Sequence, residues 1–279
     1  MNTFKTFILM AALTALFMIG GQALAGQQGM VIALVMALGL NFFAYWNSAK
    51  MALAMNKARH VSEQEAPELH QIVDNLAHRA GIPKPKVYIV DNPTPNAFAT
   101  GRNPQHAAVA VTSGIMKILN RQELEGVLAH ELGHIKNRDI LISSIAAVMA
   151  GAISYLATMA QWAMIFGGGR GHDDEGGNPF VTIIMIIVAP LAASLIQMAI
   201  SRSREYLADA AGAEISGNPR SLASALHKLT TYNRQLPMDV NPASAQMYIV
   251  NPLSGGQLKK LFSTHPPIEE RINRLMAMA

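Results

Sequence analysis

The sequence predicts an α+β chain, mostly helical, with a small β-sheet and four hydrophobic helices long enough to cross a membrane. Three observations carry this reading. Four stretches lack Asp, Glu, Lys, Arg and His: Thr6 to about Gln22, about Gly29 to Asn47, Ile140–Phe166 and Phe180–Ile200. A membrane-spanning helix needs about 20 largely apolar residues. Three short runs of strand character cluster between Val87 and Thr112, and a capped helix from Arg121 carries His and Glu at helical spacing. Composition agrees, since 51% of the 279 residues are apolar and only 14% charged, which argues against disorder and against an ordinary soluble domain. The absence of Cys excludes a disulfide framework, an iron–sulfur site and a Cys-ligated zinc.

Taken in chain order, residues 1–47 read as two transmembrane helices in a tight hairpin. Lys5, the apolar run and Ala23-Leu24-Ala25 also fit a cleavable signal peptide, but a second span starting a few residues later favours the hairpin. Tyr45 and Trp46 close the second span, where amphipathic aromatics favour the interface. Residues 48–139 form the first half of a polar unit. Ser62 and Glu65 make a capping box for a helix to Ala80 that Gly81 stops, with Ala66, Leu69, Val73, Leu76, Ala77 and Ala80 at helical spacing. Val87–Val90, Asn96–Thr100 and Ala107–Thr112 read as strands, with a turn over Gly101–Gln105. Asn120 and Glu123 cap the next helix, one face of which is Leu124, Val127, Leu128, Glu131 and Ile135. Residues 140–200 are a hydrophobic hairpin of two further transmembrane helices, and 201–279 the second half of the polar unit.

Charge predicts the sidedness. Of 22 Lys and Arg, eleven lie between Lys50 and Arg138 and nine between Arg202 and Arg274. The loop Gly167–Asn178 has only Arg170 against Asp173, Asp174 and Glu175. The positive-inside rule puts both polar halves and both termini in the cytoplasm. The basic balance (pI ≈ 9.4) therefore needs no nucleic-acid partner. His172-Asp173-Asp174-Glu175 reads as a solvated loop, with no element to fix a metal geometry.

The helix from Arg121 carries His130-Glu131-Leu132-Gly133-His134. Two His four apart on one helical face can share a zinc ion, with the intervening Glu facing a zinc-bound water. A catalytic zinc takes three protein ligands and keeps one position open. An extended His-Glu-x-x-His-x-x-Gly-x-x-His motif is excluded, because Asn137 and Ile140 stand where Gly and His are required. A Glu on another helix is the alternative, and Glu205 with Asp209 is the chain's single Glu-x-x-x-Asp. Glu205 is then the third ligand, and Asp209 the partner that orients a ligand His. The hairpin 140–200 returns the chain to its starting side, so Glu205 can meet the His pair. If the helix ran on unbroken, Glu131 would lie about 13 Å from Ile140, which puts the site near the membrane surface.

These residues resemble the HtpX heat-shock membrane proteases, distant relatives of the type I CAAX prenyl proteases. The resemblance runs through Asn96-Ala97-Phe98-Ala99-Thr100-Gly101, His130–His134, Arg204-Glu205-Tyr206-Leu207-Ala208-Asp209 and Thr264-His265-Pro266-Pro267. It implies a gluzincin-like zinc protease domain with a small sheet, and a bacterial inner-membrane endopeptidase that removes misfolded membrane proteins in the stress response. It implies one zinc ion per chain on His130, His134 and Glu205, Glu131 as the catalytic base, and Asp209 behind a ligand His. His265 and Arg204 are candidate transition-state stabilisers. The strand Asn96, Ala97, Phe98, Ala99 and Thr100 is expected to offer an edge to an extended substrate. The expected partners are unfolded membrane proteins, the lipid bilayer and companion membrane quality-control proteases. A transporter would place ionisable residues within its spans, and these spans carry none. A prenyl-protein protease would need a membrane cavity for the lipid chain.

Overall fold

The computed structural model describes residues 2–147, 149, 202–235, 247–250 and 266–279. The hydrophobic pair expected over 140–200 is described only at its start, and the loop 167–178 and His265 lie outside these residues.

The chain opens with α1 (Asn2–Met55), a 54-residue helical element bent back on itself. The reversal sits at Gly26, whose φ of 60° is left-handed and favours glycine. Beyond it the two arms touch: a Cβ on Gly21 would collide with the Gly29 carbonyl oxygen and the Ala33 side chain. Asn41 Nδ2 donates to Thr14 Oγ1 (2.9 Å) and to the Met10 carbonyl (3.3 Å) in the opposite arm. The second arm, Gly26–Met55, is long and apolar enough to cross a membrane, whereas the first apolar stretch, Phe4–Ile19, is shorter. Phe7, Val31, Val35, Phe42 and Phe43 point away from the protein, each more than half exposed, as a lipid-facing surface requires. The helix continues past Asn47 to Met55, and the Arg102 guanidinium lies 4.4 Å over the Trp46 ring.

A four-stranded mixed sheet follows, in the order β1-β2-β4-β3. β1 (Ala58–His60) runs antiparallel to β2 (Lys86–Val90), β2 parallel to β4 (Ala107–Thr112), and β4 antiparallel to β3 (Ala97–Gly101). The helix expected from Ser62 begins later, as α2 (Pro67–Ala80). Glu65 does accept from Ser62, but the pair closes a turn. Pro67 starts the helix, because its fixed φ and missing N–H suit the first helical position. Gly81 ends it in the left-handed conformation. A short α3 (Ser113–Ile118) leads to α4 (Arg121–Lys136), where Asn120 and Glu123 form the expected reciprocal cap. Glu123 also accepts from Ser224 and Lys228 (both 2.7 Å), tying α4 to a later helix.

Among the described residues the C-terminal half contributes α5 (Arg202–Ser216), α6 (Pro219–Gln235) and α7 (Ile268–Met276). With α2 and α4 they cover one sheet face around Ile72, Leu76, Val109, Leu128, Leu132 and Leu226. A second apolar cluster joins both arms of α1, through Leu9, Leu13 and Ala44, to Ile142, Ile145 and Met149. The helical segment that starts at residue 140 is thus seated against the N-terminal hairpin.

Candidate metal centre

Close helix packing creates the site. Gly212 of α5 sits where an added Cβ would be 2.9 Å from the His130 backbone, and one on Gly133 of α4 would be 3.0 Å from the Ala208 carbonyl oxygen. Two missing side chains let α4 and α5 approach almost backbone to backbone. His130 and His134, one turn apart on α4, then face Glu205 of α5, and one ligand atom from each lies within 4.8 Å of the others. His130 Nε2 and His134 Nε2 are 3.1 Å apart, and the Glu205 carboxylate lies 3.6 Å from His134 Nε2 and 3.8 Å from His130 Nε2. Donors bound tetrahedrally to one zinc ion stand about 3.3 Å apart, so three donors of the right chemistry surround one point at nearly the right spacing.

The rings are held from behind. His130 Nδ1 lies 2.9 Å from Asp209 Oδ1, and His134 Nδ1 lies 3.2 Å from both oxygens of Asp139. A carboxylate at Nδ1 fixes the tautomer and leaves Nε2 as the metal-facing lone pair. Asp139 gets there because α4 does not run on. The chain turns at Arg138, with φ 56°, and folds Asp139 back under His134. The straight-helix spacing to Ile140 is therefore not realised, and Ile140 lines the same small pocket (≈ 30 Å³) as Glu131 and His134.

The electrostatics call for a cation. Burial works against a charged His134, yet Asp139, Glu205 and Glu131 together outweigh it and push the ring up to about 10. Burial raises Glu131 to about 7, opposed by His134 and reinforced by Glu205. His130, fully buried, is lowered chiefly by desolvation. Burial also opposes the charge on Asp209, but Arg271 prevails and holds it down at about 2. Ala99 of β3 lines the same pocket as Glu131, His134 and Glu205.

β3 forms one edge of the sheet, with the Phe98 and Thr100 side chains fully buried. Its outer rim meets the segment 247–250. Ile249 N–H donates to the Ala97 carbonyl (3.1 Å), Asn96 Nδ2 donates to the Val250 carbonyl (2.8 Å), and the Tyr248 ring packs edge-on against Phe98. Thr100 is tied to Ser144 at 2.7 Å. Arg204 is buried beside the centre. Its terminal nitrogens have no hydrogen-bond partner among the described residues, and Asp139 and Glu205 offset part of the desolvation that lowers it.

Three features escaped the sequence reading. Asp139 stands five positions after His134, past the helix end, so its position is set by the turn at Arg138. Arg271 shares the buried stripe of α7 with Ile268, Ile272 and Leu275, and a cation on an apolar face was its only signal. The wall 247–250 is a Met-Tyr-Ile-Val run with no local pattern pointing to the site.

Comparison with known proteins gives a concordant result. Residues 63–279 match the sequence profile of peptidase family M48. The chain is 61% identical over 279 residues to a "Protease HtpX homolog" of Thermodesulfovibrio yellowstonii, covering 100% of this chain and 99% of that one. It is 58% identical over 275 residues to another from Desulforapulum autotrophicum, covering 98% and 89%. Among solved structures it is similar to "S. mikatae Ste24p", with a TM-score of 0.55 and 17% sequence identity; the match covers 98% of this chain and 65% of that longer protein.

Proposed function

The chain belongs to peptidase family M48, and from that premise we propose that it is a zinc-dependent endopeptidase of the bacterial inner membrane that cleaves misfolded membrane proteins on the cytoplasmic side. The convergence of His130, His134 and Glu205 on one point carries the reading. These three residues hold the ion. When bound, zinc supplies Lewis-acid polarisation of the scissile carbonyl and lowers the pKa of a coordinated water.

The chain's own groups do the rest. Glu131, buried in the pocket it shares with His134 and Glu205, accepts a proton from the attacking water and passes it to the leaving amine. Its elevated affinity for protons suits both halves of that transfer. Asp209 and Asp139 hold the ligand rings in the tautomer that presents Nε2. An extended substrate pairs along β3, where backbone bonds give affinity with little sequence preference. The Ala97 carbonyl stays bonded to Ile249, so the pairing runs along β3 beyond Ala97, toward Ala99, which lines the pocket with Glu131. Arg204, and His265 outside the described residues, take the roles the family resemblance implies and stabilise charge on the tetrahedral carbonyl oxygen.

The membrane assignment rests on the apolar, outward-facing N-terminal hairpin and on the charge asymmetry along the chain. Four spans, in pairs over 1–47 and 140–200, keep both polar halves on one side. A damaged membrane protein whose segments emerge near that surface reaches the centre without leaving the bilayer. The test is cleavage of an unfolded membrane protein in proteoliposomes by the purified chain. Activity should disappear on chelation and return with zinc. Cleavage that persists after chelation, with no zinc bound, overturns the reading.

A further inference from the structure

Arg271 is the one fully buried arginine among the described residues, and it reaches the metal centre from the far end of the chain. Its Nε and Nη2 donate to the two oxygens of Asp209 at 2.9 and 2.8 Å. Its Nη1 donates to the Ile249 carbonyl at 3.1 Å and lies 3.6 Å from Glu205 Oε2. Asp209 Oδ1, gripped by that fork, faces His130 Nδ1 at 2.9 Å. A single guanidinium therefore contacts the carboxylate behind one ligand ring, approaches the ligand carboxylate, and holds the wall beside the β3 edge.

We propose that Arg271 is a positioning residue for the reaction. It locks Asp209 against His130 and, with the same planar group, fixes the wall 247–250 against β3. The inference rests on the metal-centre reading above. Its physical basis is the fork. A planar bidentate pair fixes both oxygens of a carboxylate in direction as well as distance, so Asp209 Oδ1, shared between Arg271 Nη2 and His130 Nδ1–H, cannot rotate away. A lysine ammonium supplies the charge but not the two parallel bonds. Arg271 also completes a chain through Ile249, whose N–H bonds the Ala97 carbonyl. Removing it loosens one ligand ring and the register of the cleft wall together.

The test compares full-length wild type, R271Q, R271K, D209N and the R271Q/D209N double variant in detergent. Zinc affinity is read by competition with a chromophoric chelator, and folding by thermal melting. H134A serves as the control on the centre itself. R271Q and D209N should each weaken zinc by about 10–100-fold, the size expected for an outer partner of a ligand. The double variant should be no weaker than the worse single, because both changes break one connection. R271K should recover only part of the loss. Wild-type zinc affinity in folded R271Q or R271K, or losses that multiply in the double variant, would overturn the proposal. So would a lowered melting temperature with unchanged zinc affinity, the mark of a merely structural arginine. Should R271Q fail to fold, R271K alone decides, since it must still show weakened zinc. If H134A binds zinc as wild type does, the metal centre is misassigned and this proposal falls with it. If H134A loses zinc while the Arg271 variants keep it, only this proposal fails.

Discussion

Replacing Gly212 by alanine tests whether helix approach builds the metal centre. The added methyl would stand 2.9 Å from the His130 Cα and N, and 3.3 Å from the Ala129 carbonyl carbon. All three are backbone atoms of α4 and cannot swing aside. Restoring ordinary contact at 3.4 Å requires α5 to retreat by about 0.5 Å. Glu205 and Asp209 ride on α5, whereas metal–ligand distances tolerate only about ±0.2 Å. G212A should therefore destabilise the fold by about 1–3 kcal/mol, the usual cost of overpacking, and weaken zinc more than melting alone would suggest. G39A is the control, because its added methyl meets nothing within 4 Å. Zinc affinity by chelator competition and melting temperature in detergent read the two effects. Wild-type zinc affinity with a wild-type melting temperature in G212A would refute the claim that backbone contact sets the ligand geometry.

Three further outcomes are expected. D139N replaces the carboxylate 3.2 Å from His134 Nδ1 and should weaken zinc by about 10–100-fold; a change under about threefold would remove Asp139 from the site. Glu131 must be ionised to act as base, so kcat/KM should fall as pH drops through its pKa. Burial raises Glu131 to about 7 and a bound cation draws it down, so wild type should show an acid limb below about 7; the same acid limb in residual E131Q activity would contradict the assignment. Reporters fused after Ala279 and inserted at Gly169 should report opposite sides of the membrane; a cytoplasmic signal at both would mean that 140–200 returns without crossing.

What could be read from sequence was what local chemistry encodes. The Asn120–Glu123 cap, the four-residue His spacing on α4 and the Glu205–Asp209 pair all lie within single helices, where a 3.6-residue period decides which groups share a face. The three strands from Lys86 to Thr112 were legible from their β-branched and aromatic runs. β1 was not, because Ala-Arg-His has no strand character, and it exists only because the chain leaves α1 through Lys57 (φ 52°) beside the β2 edge. The start of α2 was misplaced because a capping-box pattern at Ser62 was outranked by Pro67. Asp139 and Arg271 could not be found locally. One depends on a turn at a left-handed residue, the other on α7 docking 62 positions after Asp209. The same long-range docking brings the 247–250 wall to Ala97.

The most direct measurement is turnover and zinc stoichiometry in E131Q. Glutamine keeps the shape of Glu131 and removes only its capacity to carry a proton. With His130, His134 and Glu205 intact, the variant should retain one zinc per chain and wild-type melting while cleavage of an unfolded membrane protein is abolished. Near-normal cleavage by zinc-loaded E131Q would contradict the assignment of Glu131 as the base at this metal centre.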